Sequence, residues 1–133
     1  MRAAVLGALL SLACSSAPSS TGGFPAEAYA SASSPSGTYA MEVRTAPQPP
    51  SRGAISTLLT VRSGNTPVDG LALHVTPWMP AMGHGASIEP TVVARGNGDY
   101  LVDDLVLPMP GMWELRISTS DGSEPTVLSL NVE

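Results

Sequence analysis

The chain has 133 residues and a formal net charge of −5, set by six arginines, no lysine and eleven acids. That acidic balance argues against a phosphate backbone as partner, so nucleic acid is not expected, and the lack of lysine rules out Schiff-base chemistry and a lysine nucleophile. A single cysteine allows no intrachain disulfide.

Met1-Arg2, the apolar run from Ala3 to Leu12 and the small pair Ala13-Cys14 have the layout of an export signal, so residues 1–13 are expected to be a lipoprotein-type signal peptide. The run is too short to span a bilayer. Ser11-Leu12-Ala13-Cys14 resembles the bacterial lipobox, with Ser11 where leucine is usual, and predicts lipidation of Cys14; cleavage after Ala17 is the competing site and would give a secreted product. A lipid on Cys14 would anchor the protein to a membrane of the cell envelope, facing the periplasm or the exterior.

Residues 14–37 are dominated by Ser, Ala, Pro and Gly and show no sustained period, which predicts a flexible tether unable to bury enough apolar area to order itself. From residue 38 to 133 the pattern changes to short runs of Val, Leu, Ile, Thr and Tyr, separated by Gly, Pro, Asn and Asp roughly every ten residues. Strands are expected at Thr38 to Arg44, Ala54 to Arg62, Leu71 to Pro77, Thr91 to Ala94, Tyr100 to Leu107, Met112 to Thr119 and Thr126 to Val132. Turns are expected at Ser63-Gly64-Asn65, Arg95-Gly96-Asn97-Gly98 and Asp121-Gly122, where Gly and Asn accept positive φ. About seven strands with no helical pattern make an all-β fold, an immunoglobulin-like sandwich. Alternation places Leu71, Leu73 and Val75 on one strand face with His74 opposite, and Trp113, Leu115 and Ile117 on another, where Trp113 is the expected core anchor.

Catalytic arrangements find little support. No Gly-x-Ser-x-Gly elbow occurs, no cysteine lies inside the domain, and Asp103-Asp104, as strand neighbours, are expected on opposite faces of an edge or bulge and not as a working carboxylate pair. An enzyme is not expected.

Trp78-Met79-Pro80-Ala81-Met82-Gly83-His84-Gly85 gathers two thioethers and an imidazole in one turn, and Met109 and Met112 flank a second turn at Pro110-Gly111. Apart from the initiator, four of the five methionines fall in these two turns. Thioether and imidazole together form a donor set suited to Cu(I), so Met79, Met82 and His84 are candidate copper ligands, with Met109 and Met112 in support. The competing reading makes the methionines adaptable core plugs and His84 a hydrogen-bonding loop residue. His74 reads as a surface histidine, or as a ligand reaching the turn from its strand, and Trp78 as a packing residue or a shield for the turn.

The order Pro77-Trp78-Met79-Pro80-Ala81-Met82-Gly83-His84-Gly85, then Gly98-Asp99-Tyr100, then Pro108-Met109-Pro110-Gly111-Met112-Trp113-Glu114-Leu115 resembles the YtkA-like domain, related to the FixH group, over roughly residues 50 to 132. The resemblance implies a single exported or membrane-tethered sandwich domain. FixH-type proteins are associated with maturation of copper-containing terminal oxidases, but their transmembrane anchor is not expected here, and the later His-x-Met of periplasmic copper chaperones is missing. The expectation is therefore a non-enzymatic envelope lipoprotein that binds copper for handling or delivery to an envelope cuproprotein. The alternative is a metal-free module whose Met and Trp side chains contact a protein partner.

Overall fold

The computed structural model of the protein describes residues 22–133, so the expected signal peptide and Cys14 lie outside the described residues. Runs that alternate apolar and polar residues satisfy their backbone groups by pairing with one another, and here they do so throughout. The strands are β1 (Ala30–Ser33), β2 (Ala40–Ala46), β3 (Gly53–Ser63), β4 (Thr66–Pro67), β5 (Leu73–Met79), β6 (His84–Gly85), β7 (Thr91–Gly96), β8 (Asp99–Leu107), β9 (Gly111–Thr119) and β10 (Thr126–Val132). All pair antiparallel. One sheet runs β1-β2-β3-β8-β7 with β4 beside β3, and the other runs β10-β9-β5-β6.

With β1, β4 and β6 set aside, the seven longer strands divide as β2-β3-β8-β7 and β10-β9-β5, which is the four-plus-three division of an immunoglobulin constant-type sandwich. The expected fold class holds. Each sheet turns its apolar residues inward: Val75 and Met79 from β5, Trp113, Leu115 and Ile117 from β9, and Leu128 and Leu130 from β10 meet Leu59, Val61, Tyr100 and Leu105 from the facing sheet. Trp113 and Tyr100 are the largest fully buried side chains. Each aromatic has an acceptor for its polar hydrogen, as burial requires. The Tyr100 hydroxyl donates to the Val68 carbonyl at 2.7 Å and accepts from the Leu71 N–H at 3.2 Å, pinning the β4–β5 connection to the sandwich.

Three strands lie where none is expected, and each has a physical cause. The first falls in the expected tether: Ala30–Ser33 pairs with β2, so the ordered domain begins before residue 38. Local composition gives no hint of it, because the order comes from contacts distant in sequence. Tyr29 donates its N–H to the Val43 carbonyl at 2.8 Å, and its hydroxyl lies 3.3 Å from both the N–H and the carbonyl of Asn131, on the outer edge of β10. Arg44 and Gln48 hold the carbonyls of Ala26 and Glu27. The second is β4, formed when the chain doubles back after the Gly64-Asn65 turn. The third is β6, which places His84 in a strand.

The Asp103-Asp104 bulge is present, but the two carboxylates do not point to opposite faces. Ile55 pairs with Leu105 and Thr57 with Val102, so Ser56 alone opposes both aspartates. The extra residue is absorbed by Asp104 at a φ of 59°. Val102 and Leu105 are buried while Asp103 and Asp104 between them are both exposed, because a bulge interrupts the alternation of a regular strand.

A chain that starts at Thr38 will lack β1 and the Tyr29 bond to β10, and is expected to unfold at lower temperature and lower urea than one that starts at Gly22. Equal midpoints in the two would show that β1 contributes nothing. In the β9–β10 turn, the Asp121 carboxylate accepts hydrogen bonds from Thr119 and Ser123, which hold its pKa at about 2 instead of the usual 3.8. A lowered folded-state pKa gives stability that is complete above the unfolded value and is lost as pH falls through the folded one. Asp121→Asn should therefore leave the urea midpoint nearly independent of pH between about 4 and 2 as far as this group is concerned, whereas the parent loses stability across that window.

Candidate functional site

Trp113 organises one end of the sandwich. It pairs with Leu130 of β10, and one step beyond the Trp78–Glu114 pair it stands beside Met79, which in turn pairs with His84 of β6. Leu130, Trp113, Met79 and His84 thus form one row across the inner side of the sheet. Along the row Trp113 and Met79 are buried, at 0% and 6% exposure, whereas His84 at its end is exposed. The His84 ring meets the Trp113 ring edge-on, with centroids 6.5 Å apart and planes at 68°.

The loop between Met79 and His84 is a four-residue connection built on a tight helical turn. The Met79 carbonyl accepts from the N–H groups of Met82 at 3.1 Å and Gly83 at 3.0 Å. Winding the chain this way leaves Met82 on the outside of the turn, 56% exposed. Directly after the loop, Gly85 lies so close to β5 that a Cβ would come within 2.9 Å of the Pro77 carbonyl oxygen. A glycine is therefore required for β6 to pair at all.

The second methionine turn lies against the first. The terminal methyl of Met79 would stand 3.0 Å from a Cβ on Gly111, so the Met79 side chain reaches the backbone of the Met109–Met112 turn. The Trp113 indole N–H donates to the Met109 carbonyl at 2.9 Å, and the Met109 side chain is partly buried against the core. Met112 differs. It precedes the inward Trp113 in β9, so its side chain lies on the outer face of the sheet, 50% exposed.

The tertiary structure therefore brings Met79 and Met109 to the inner side of one end, leaves His84 exposed beside them with its ring against Trp113, sets Met82 at the tip of the adjoining loop, and turns Met112 to the outside. Met79 belongs to β5 and the core, not to the turn, because β5 runs two residues past the expected strand end at Pro77. His74 does not reach this end: its Nε2 lies 2.7 Å from Glu89 Oε1 on an exposed flank of β5. Trp78, on the outer face, carries the Arg116 guanidinium 4.9 Å over its ring, and Arg116 is held in turn by Glu114 at 3.0 Å. Trp78 thus packs on the face away from Trp113.

The state of the His84 ring follows from its hydrogen bond. Nδ1 lies 2.9 Å from the Gly85 carbonyl oxygen. A carbonyl can only accept, so Nδ1 carries the proton, and in the neutral ring the lone pair resides on Nε2. Histidines that ligate metals are held in the same way, with the other ring nitrogen donating to a backbone carbonyl or carboxylate. Among the described residues, no group of three or more His, Cys, Asp or Glu side chains could hold a metal ion, so any ion bound here would depend on thioether sulfur. Also among the described residues, no helix is long and apolar enough to cross a membrane.

The family model described as YtkA-like matches residues 33–118, which is more than half of the chain and runs from the end of β1 through both methionine turns. The protein belongs to the YtkA-like family. No curated protein matches the chain, and no solved structure does.

Gly111 has a φ of 120° and the Met79 methyl against it, so Gly111→Ala should cost about 1–2 kcal/mol in urea unfolding. The Met79 methyl resonance is expected to move while that of Met41, in β2, stays in place. An unshifted Met79 signal would mean that the two turns do not touch.

Proposed function

We propose that this YtkA-like protein is a non-enzymatic lipoprotein of the cell envelope, anchored through a lipid on Cys14, whose sandwich binds Cu(I) at the Met/His end for handling or delivery to an envelope cuproprotein. The observation that carries the reading is the His84 ring, with Nδ1 committed to Gly85 and Nε2 left as a lone-pair donor, on the residue that pairs with Met79 across β5 and β6. Met109 is the third donor available at the inner side, and Met82 the donor open to solvent. Soft thioethers and a neutral imidazole suit Cu(I) and do not suit Mg²⁺ or Ca²⁺. Met112 faces away from this group and is the weakest of the five candidate ligands. An exposed thioether on a loop tip also suits an ion that must be passed on, because the donor can approach a second protein.

A second reading is supported by the same exposure. Met82, Met112 and Ile88 are large apolar side chains in contact with water, and flexible methionine surfaces adapt to protein partners without any metal. The two readings separate in one titration.

Under reducing, anaerobic conditions, a chain beginning at Gly22 is titrated with Cu(I) against a chromophoric chelator, beside His84→Ala and Met82→Leu. One equivalent is expected to be withheld from the chelator by the parent. His84→Ala should weaken binding at least tenfold, and Met82→Leu by less. Full transfer of copper from the parent to the chelator would eliminate the copper reading and leave the metal-free module.

A further inference from the structure

Of the strand edges in the sandwich, β7 offers the most to a partner. The outer edge of β10 is held by the Tyr29 hydroxyl, β6 lies along the end of β5, and β1 is four residues of Ala and Ser. β7 closes the other side of the larger sheet. Among the described residues, 91–96 make no backbone hydrogen bond beyond the ladder with β8, so one row of N–H and C=O groups faces water. An apolar row runs out to this edge. Val92 packs against the core, so alternation turns Thr91 and Val93 to the outer face. Val93 pairs with Leu101, and Leu101 with Leu58. Exposure along that row rises from 5% at Leu58 to 47% at Val93. Three charges flank it: Arg95, the extra residue of the bulge between Ala94 and Gly96, and Asp103 and Asp104 on β8. All three are exposed, and none is ion-paired among the described residues.

We infer that β7 is a self-association surface, on which a second copy of this chain adds its own β7 antiparallel about a two-fold axis through Val93. The surface contains none of the candidate copper ligands, so the inference is independent of the copper reading. With Val93 on the axis, Val93 meets Val93, and the Leu58-Leu101-Val93 rows of the two copies join into one apolar band. Thr91 then lies opposite Arg95 of the other copy. Asp103 pairs with Thr91 inside its own sheet, so Arg95 of one copy and Asp103 of the other stand two strand spacings apart. That is about 10 Å between Cα atoms, a gap the two side chains span together. The pair occurs twice, once on each side of the axis. An axis one residue away, at Val92 or Ala94, would set Val93 opposite Thr91 or Arg95 and break the band. A surface whose apolar row and charges both complement themselves under one two-fold axis fits a second copy better than a strand of another protein.

The test uses the chain from Gly22, which holds all ten strands and no cysteine. Sedimentation equilibrium at up to about 1 mM chain, sensitive to a Kd of that order, is expected to give twice the monomer mass. Val93→Asp should leave only monomer, while Val127→Asp, at an exposed position of β10 in the other sheet, should leave association unchanged. Arg95→Asp and Asp103→Arg should each weaken association at least about tenfold, and the two together should restore it. Val93→Cys should form a disulfide with its own copy under mild oxidation, because directly opposed strand residues hold their Cα atoms about 4.5–5.5 Å apart. A parent that stays monomeric throughout would overturn the inference and leave the edge to a strand of another protein. A dimer indifferent to Val93→Asp, or a double charge reversal that folds yet stays monomeric, would overturn it as well.

Discussion

A buried indole N–H must be given an acceptor, and in this protein that requirement shapes the end of the molecule where the unusual residues gather. Trp113 is wholly buried, and its N–H is satisfied by the Met109 carbonyl four residues earlier. The bond folds the Pro108–Gly111 link back over the ring and so fixes the turn that crosses from one sheet to the other. With that turn in place, Met79 can fill the space against Gly111, and His84 can set its ring edge against the indole. Loss of the indole would leave a large cavity, of the kind that costs about 3–5 kcal/mol in cores, and would also release both methionine turns.

The glycines around the row act as spacers. At Gly85 the backbone of β6 comes against Pro77, and at Gly111 the backbone of β9 comes against Met79, so both close approaches occur within one residue of a candidate ligand. Packing and ligand placement are thus served by the same contacts. Met79 shows the overlap most clearly, since a side chain 6% exposed contributes to the core whether or not its sulfur ever meets an ion. The division of labour is different at Met82, which contributes little to packing and has its exposure set by the helical turn beneath it.

Much of this was readable from residue order. The alternation of Leu71, Leu73 and Val75 and of Trp113, Leu115 and Ile117 identified inward faces correctly, because a strand with one wet face has a period of two. The sequence could not show that Met79 ends a strand while Met82 leaves it, since both sit beside proline or glycine in one short run. Nor could it show that Met112 and Met109, flanking the same turn, part company: the outward position of Met112 depends on where β9 begins. The aspartates at 103 and 104 were misplaced for a related reason. Alternation holds only where the ladder is regular, and the register that creates the bulge is set by β3, more than forty residues away.

By itself, then, the sequence determined the all-β class, the sandwich arrangement of seven longer strands, the core role of Trp113 and the membership of the two methionine turns in one family pattern. These are local properties, carried by period, turn residues and composition. Only the tertiary structure decided that Ala30–Ser33 is a strand and that the two methionine turns touch. Each of these depends on a hydrogen bond or contact between residues far apart in the chain, such as Tyr29 with Asn131, and pairings of that kind exist only once the sheets have packed.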